Sequence, residues 1–549
     1  MPAGETNWRR SLPADLAAGA TTALVGIPQG MGFALVAGVN PVYGLYTAAF
    51  STAIGALLTG SSYLKVMLSN VLAVSIYSVL APVPEADVPA TLFVLTILVG
   101  AFQLGFGLLR AGSLTRFIST AVLTGFVTGA ALLIVLGQLG NLTGYRLPRE
   151  AIQVLAIPEL LLHAGEIQPQ ALFVGLLTIS LALALQRVPR LTSFSLLLPV
   201  IIAALLVRTA FPGVALVGDI AAIPAGLPAP VVPDLALAPG LLIPALALAI
   251  IGLVMAVGVT ETTPEPDGSI ADVNRDFSGQ GITNILTSFL QCAPSAGSLS
   301  ATALNVAAGA ETRAANLISG ILVGAVIVVA GPLAEQIPLP ALAGILILIG
   351  AELMNQPHVI ACIWRYSRPG RWAMLATFIS TQVLPLQYSI YIGVLLSLAI
   401  YLVTSTREAT VVRLAPVEGG MFREEPAPER LLDDSITVLS VSGSVYFATL
   451  RAIERSLPSP GGAESAVVIL ALPRRVEAGT GLFRMLTRYA RKVTAGGNRL
   501  ILAEVNPRLL AGLEEGGVVE AIGPGNIFPA TPVIGESLRA AIRAAKAGT

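Results

Sequence analysis

Apolar residues fill most of the chain up to about position 404, in stretches near twenty residues long separated by short polar, Pro- or Gly-containing connections. About twenty apolar residues let an α-helix cross a bilayer's hydrocarbon. The pattern predicts spans at 13–37, 41–59, 66–80, 90–110, 114–139, 169–187, 194–210, 240–260, 280–292, 299–309, 314–331, 338–354, 372–384 and 387–404. These are fourteen spans, the third, ninth, tenth and thirteenth unusually short. Within the first, Ile27-Pro28-Gln29-Gly30 predicts a break at mid-helix. Backbone groups freed inside hydrocarbon must face protein or a polar cavity, so the break points to a binding site.

Cations test the threading, because short cytoplasmic loops collect Lys and Arg. Arg9, Arg10, Arg110, Arg116, Arg187, Arg190, Arg275, Arg313, Arg365, Arg368, Arg371 and Arg407 fall on one side of this scheme, with Arg146, Arg149 and Arg208 as exceptions. An even span count then places both termini in the cytoplasm of an inner-membrane protein. The layout repeats: a span opening near Pro13 leads to a short one at Leu68 to Asn70, and a span opening near Gly240 leads to one at Ser298 to Ser300. Seven spans is odd, so the second copy is inverted, and paired short segments in inverted halves mark a midplane binding site.

After Thr404 the character changes. A Pro- and Glu-containing linker, 405–434, leads to a small soluble α/β domain, 435–549, with strands expected at 436–441, 466–472 and 499–503 and a helix from Gly481.

Composition agrees with the spans: 54% hydrophobic and 12% charged residues, with equal numbers of acids and bases, exclude a soluble enzyme and give no basic stripe for nucleic acid. Cys292 and Cys362 lie far apart in apolar surroundings, and His163 and His358 lack ligand spacing, so no disulfide framework, metal or cofactor is expected. No His/Asp/Glu constellation suggests catalysis. Glu261, Glu265, Asp267, Asp272 and Asp276 read as a solvated loop, and Lys65 as a lysine snorkelling at the inner mouth.

Several motifs occur in one order: Pro28-Gln29, Ala37-Gly38 and Pro41-Val42-Tyr43-Gly44-Leu45-Tyr46; Leu123-Thr124-Gly125-Phe126-Val127-Thr128-Gly129-Ala130; Asp272-Val273-Asn274-Arg275-Asp276 with Gln280-Gly281-Ile282-Thr283-Asn284; Pro294-Ser295-Ala296-Gly297-Ser298-Leu299-Ser300; and Ile337-Pro338-Leu339-Pro340. In these the chain resembles the SulP family of anion transporters. The resemblance implies a polytopic α-helical membrane protein of seven plus seven inverted spans, as in nucleobase-cation symporters. Residues 1–404 would form the transport domain, with a core of spans 1–4 and 8–11 and a gate of spans 5–7 and 12–14. Gly443-Ser444-Val445-Tyr446-Phe447-Ala448 and Gly525-Asn526-Ile527-Phe528-Pro529 resemble the family's C-terminal STAS domain.

Leu68-Ser69-Asn70 and Ser298-Leu299-Ser300 each follow an extended stretch and start a short helix, with Ser or Asn able to cap. Helix N-termini carry unpaired N–H groups and about half a positive charge, which makes them anion sites. The resemblance places Gln29 and Phe33 around the same centre. Two charges common among relatives are missing: the eighth-span acid, where counting back from Asn274 reaches Met255, and the tenth-span Arg, where Ala301 stands. The implied function is secondary transport of a small inorganic or dicarboxylate anion by a homodimer in the bilayer, with a proton as candidate co-transported ion. The alternatives are a passive anion channel, a nucleobase-type symporter of the same fold, and a membrane signalling scaffold acting through the C-terminal domain.

Overall fold

The computed structural model describes residues 8–112, 119–145, 156–188, 191, 194–220, 222–408, 410–418, 421–442, 449–472 and 480–547. It divides into two compact units between Ser397 and Leu398. Arg116, Arg146, Arg149 and Arg190 and the motif Gly443 to Ala448 lie outside the described residues.

The first unit is helical. It comprises α1 (Trp8–Val36), α2 (Pro41–Tyr46), α3 (Thr52–Leu58), β1 (Val66–Met67), α4 (Asn70–Leu80), α5 (Val88–Leu108), α6 (Thr120–Gly137), α7 (Leu139–Thr143), α8 (Ala156–Leu162), α9 (Pro169–Gln186) and α10 (Leu197–Ala210). After these come α11 (Ala238–Thr262), α12 (Val273–Ser288), β2 (Ala296–Gly297), α13 (Leu299–Ala307), α14 (Ala314–Ala334), α15 (Leu339–Met354), α16 (Pro357–Tyr366), α17 (Arg368–Val383) and α18 (Leu386–Glu408), which runs across the division. Among the described residues each of the fourteen apolar stretches overlaps helix, 41–59 as α2 and α3. Among the described residues, eight helical segments are long and apolar enough to cross a membrane.

The expected break at Pro28 is absent: α1 is one continuous helix with Pro28 inside it. Its small residues serve packing instead. Gly30 and Gly44 meet backbone to backbone, and a Cβ on either would strike the other's carbonyl oxygen. Such small-residue contacts let membrane helices approach closely. The irregular helix is the next one, where a π-helical segment, Thr47–Ser51, joins α2 to α3. There the Thr47 hydroxyl donates to the Tyr43 carbonyl at 2.6 Å and accepts from the Ala293 N–H at 2.9 Å.

Two packing groups are evident. In one, α5 packs on α11 and α12, and α14 packs on α1 and α3. In the other, α6 packs on α15 and α17, and α9 on α10 and α15. Gly125 and Gly129, one turn apart, press α6 onto α17, where a Cβ would strike the Met374 carbonyl and the Thr381 hydroxyl. The groups meet where α4 faces α6 and α1 faces α15.

The second unit is a six-stranded sheet ordered β4-β3-β5-β6-β7-β8, built from β3 (Thr410–Val417), β4 (Met421–Pro426), β5 (Ile436–Ser442), β6 (Val467–Ala471), β7 (Arg499–Val505) and β8 (Ile527–Pro529). Strands β5 to β8 run parallel, and β3 is antiparallel to both neighbours. Alternating β6 residues explain its wholly buried sequence. Val468 and Leu470 join the cluster with α20 (Thr480–Ala495) and α21 (Pro507–Glu515), while Val467, Ile469 and Ala471 face α23 (Glu536–Ala547). Helices α19 (Leu450–Ser456) and α22 (Val518–Ile522) complete the first face. The expected linker 405–434 is therefore not a free tether. Its β3 and β4 pair antiparallel at the edge of the sheet, with Pro416 opposite Phe422 and beyond the residues 410–413 that pair with β5.

Candidate functional site

Two-residue strands cannot stand alone, so β1 and β2 must be held by their surroundings. They pair antiparallel, Val66 with Gly297 and Met67 with Ala296. The Thr52 hydroxyl donates to the Val66 carbonyl at 3.0 Å, and the Gln280 side-chain oxygen accepts the Gly297 N–H at 2.9 Å. One turn on, Asn284 accepts the Ser295 N–H at 2.9 Å, donates to the Ser295 carbonyl at 2.7 Å and donates to the Gln103 side-chain oxygen at 2.7 Å. Gly297 leaves room for α11, since a Cβ there would crowd Leu64 and the Ala256 backbone.

Each strand delivers a helix. The Ser69 hydroxyl accepts the Leu72 N–H at 3.5 Å at the start of α4, and the Ser298 hydroxyl accepts the Ala301 N–H at 3.4 Å at the start of α13. The two caps are equivalent, three residues from hydroxyl to amide. The Ser69 hydroxyl also donates to the Met255 sulfur at 3.4 Å, which brings α11 to the α4 end. Ser298 and Ser300 place their hydroxyl oxygens 3.5 Å apart. Two helix N-termini thus emerge from one short ladder, with no acid in any of these contacts.

Phe33, Leu68, Met255 and Ala301 are buried in one apolar cluster. Gln29 is buried one turn before Phe33, on a helix that packs against both α4 and α13. Asn70 is buried and its side-chain oxygen accepts the Val71 N–H at 2.7 Å, so this group serves its own backbone. Leu299 is 39% exposed and Ser300 is also exposed, in contrast to Ser69 at 1%. The two capping serines themselves, Ser69 and Ser298, are both buried.

Sequence reasoning gave no role to Gln280 and Asn284. Their signal was an i, i+4 pair of amides on a polar stretch of α12, and both are fully buried. Two expectations are corrected. Asp276 is not on a solvated loop: α12 begins at Val273, and the buried Asp276 carboxylate accepts the Gly60 N–H at 2.8 Å, the Ser61 N–H at 2.9 Å and the Thr260 hydroxyl at 3.3 Å. Lys65 does not snorkel. It is 3% exposed, and its Nζ donates to the Ser319 hydroxyl at 2.8 Å and the Thr22 carbonyl at 3.3 Å. The Glu261 side chain lies outside the described residues. Among the described residues no group of three or more His, Cys, Asp or Glu is placed to hold a metal ion.

A cleft of about 470 Å³, lined by Tyr43, Tyr77, Glu85 and Asn141 among others, opens beside the C-terminal end of α4. A smaller cavity of about 120 Å³ shares Leu35, Tyr77 and Asn141 with it and reaches Val74, Leu133 and Ile134. Phe33, Leu68, Leu72, Phe126, Ile134, Ile345 and Leu346 belong to one buried cluster across the meeting of the two packing groups. Apolar side chains fill the contact on that side of the helix ends.

A family model described as the sulfate permease family matches residues 12–377. The probable sulfate transporter 4.2 of Arabidopsis thaliana is 25% identical over 543 residues, covering 94% of this chain and 79% of that protein. The putative sulfate transporter YvdB of Bacillus subtilis is 24% identical over 520 residues, covering 94% of this chain and 95% of that one. Among solved structures, that of SLC26A9 superposes with a TM-score of 0.88 at 19% identity, over 99% of this chain and 92% of the other. The transmembrane domain of the cyanobacterial bicarbonate transporter BicA matches with a TM-score of 0.61 at 24% identity, over 69% of this chain and 98% of that domain. These likenesses establish a polytopic helical transporter fold.

Proposed function

Because the chain belongs to the sulfate permease family, a family of transporters and not of enzymes, we propose that it is a secondary active transporter of one small anion, inorganic or dicarboxylate. The observation that carries this reading is the β1–β2 ladder, which sets the capped N-termini of α4 and α13 in one place with Met255 beside Ser69. Fixed N–H groups and helix dipoles recognise negative charge without a mobile side chain. The sulfate transporters among the relatives support the same substrate class.

In this reading spans 1–4 and 8–11 carry the anion as a core and spans 5–7 and 12–14 form the gate. Transport is rocking of one against the other across the contact of α4 with α6 and α1 with α15. The fourteen apolar stretches thread the membrane as seven plus seven inverted spans, the short ones at α4 and α13 ending at the midplane site, both termini are cytoplasmic, the second unit is a regulatory STAS domain, and the chain works as a homodimer.

With Met255 in place of an acid the site offers Na⁺ no carboxylate, and hard cations favour such oxygen ligands. Coupling therefore falls to the proton or to counter-exchange. The test is uptake of labelled sulfate, bicarbonate, chloride, succinate and uracil into proteoliposomes, with and without imposed pH and Na⁺ gradients. The expected result is saturable, concentrative, Na⁺-insensitive uptake of at least one anion. Uptake that never exceeds equilibrium would identify a channel instead, and uptake of uracil alone a nucleobase symporter.

A further inference from the structure

Lys65 is the last residue before β1, and its backbone is built into the start of α13. Its carbonyl accepts the Ser298 N–H at 2.9 Å and its N–H donates to the Thr302 hydroxyl at 3.0 Å. Its side chain turns inward to α1 and α14, where both of its acceptors, the Thr22 carbonyl and the Ser319 hydroxyl, are neutral. Among the described residues no carboxylate lies within ion-pair distance of it.

The groups carried by the same turns are also neutral. Asn305 follows Thr302 by one turn of α13, is fully buried and has no protein partner for either side-chain amide atom. Asn316, one turn before Ser319 on α14, donates to the Tyr63 and Leu64 carbonyls at 3.1 and 3.2 Å and keeps an unpartnered buried oxygen. A buried charge is ordinarily paired, and leaving one unpaired is costly. The acid nearest along α1 is Asp15, seven residues before Thr22, and its carboxylate is already engaged by the Glu311 N–H, the Thr312 N–H and the Thr312 hydroxyl.

We propose that Lys65 is a specificity-determining residue of the transport site: a buried, unpaired amine whose protonated form is favoured by the bound anion and supplies the positive charge absent at Ala301. The proposal rests on the transporter reading and deepens it. Because the Lys65 backbone touches Ser298 and Thr302, its ammonium stands within roughly 10 Å of the α13 N-terminus, the reach of one extended side chain and a hydrogen bond. At an effective dielectric of about 20, a unit charge at that range changes affinity about tenfold per unit of ligand charge. The protonated amine therefore favours anions of higher valence, and the cost of its buried charge is balanced only when the anion is bound.

The test measures binding of chloride, bicarbonate, sulfate and succinate to the full-length protein in detergent by thermal-shift titration, for the wild type, Lys65→Met and Ser319→Asp. The first variant removes the charge with little change of volume. The second keeps the lysine and neutralises it by placing a carboxylate where the Ser319 hydroxyl accepts, so a folded protein is retained even where Lys65→Met fails to fold. The expected result in both is a loss of about tenfold for each monovalent anion that the wild type binds and about a hundredfold for each divalent one. That dependence on valence is not produced by mere loosening of the fold. Affinities within threefold of the wild type, or equal losses for both valences, would overturn the proposal. Failure of the wild type to bind any of the four would instead overturn the transporter reading, and the proposal with it.

Discussion

The Ser69 hydroxyl donates to the Met255 sulfur at 3.4 Å, so the residue that caps α4 rests on the α11 position where an acid was expected. Thioether sulfur is a weak acceptor and carries no charge. A carboxylate there would face the same α4 N-terminus that an anion must approach. Met255→Glu is expected to lower uptake at neutral pH at least tenfold and to recover as pH falls and the introduced carboxyl is protonated. Uptake in proteoliposomes across a pH series checks this. Wild-type rates at every pH would place Met255 away from the anion.

A Cβ at Gly129 on α6 would strike the Thr381 side chain on α17, whereas a Cβ at Gly105 on α5 would meet nothing within 4 Å. Gly129→Ala is therefore expected to lower thermal stability by several degrees. Gly105→Ala should be neutral or stabilising by up to about 1 kcal/mol, since only helix propensity changes. Thermal unfolding of the two purified variants separates close packing from a general intolerance of alanine.

In the second unit the Tyr489 hydroxyl donates to the Pro458 carbonyl at 3.0 Å, and burial pushes the phenol up from its ordinary value of 10.0. The sign follows: a raised folded value means that its contribution is complete below the unfolded value and is lost as pH rises through the folded one. Tyr489→Phe should cost about 1 kcal/mol at neutral pH through the orphaned carbonyl. It should also remove the decline in stability that the wild type shows above about pH 10. Hydrogen exchange of β6 and β7 in the full-length protein measures both.

Deleting everything after Glu408, where α18 ends, is expected to leave a membrane protein that still binds its anion, with turnover altered, because every candidate site residue lies before that point. Loss of binding in a folded truncation would bring the second unit into the site.

Much of the helical layout was legible because apolar run length is a direct consequence of bilayer thickness, and the fourteen runs are long-range features that single residues do not blur. The sheet of the second unit was legible where burial on both faces gives continuous apolar runs, as at Val467 to Ala471. Three local readings failed for a shared reason: residue type does not reveal its partner. Pro28 and Gly30 read as a break, yet the glycine is spent on contact with Gly44 in a continuous helix. Asp276 read as solvated beside other acids, yet it anchors the Gly60 and Ser61 amides from more than 200 positions away. Lys65 read as a surface cation, and only the positions of Thr22 and Ser319 reveal it as buried. The β1–β2 ladder was invisible for the same cause, being two residues long and paired across the two halves of the repeat.

If the anion sits at the two helix ends, a charge placed at Ser300, exposed in the first turn of α13, must meet it. The decisive measurement is uptake of the transported anion by Ser300→Asp beside Ser300→Asn, at matched amounts of folded protein in proteoliposomes. The aspartate, which occupies the helix end with its own negative charge, is expected to abolish uptake, while the neutral isostere retains at least a third of it. Equal uptake by the two variants, at the wild-type rate, would contradict it.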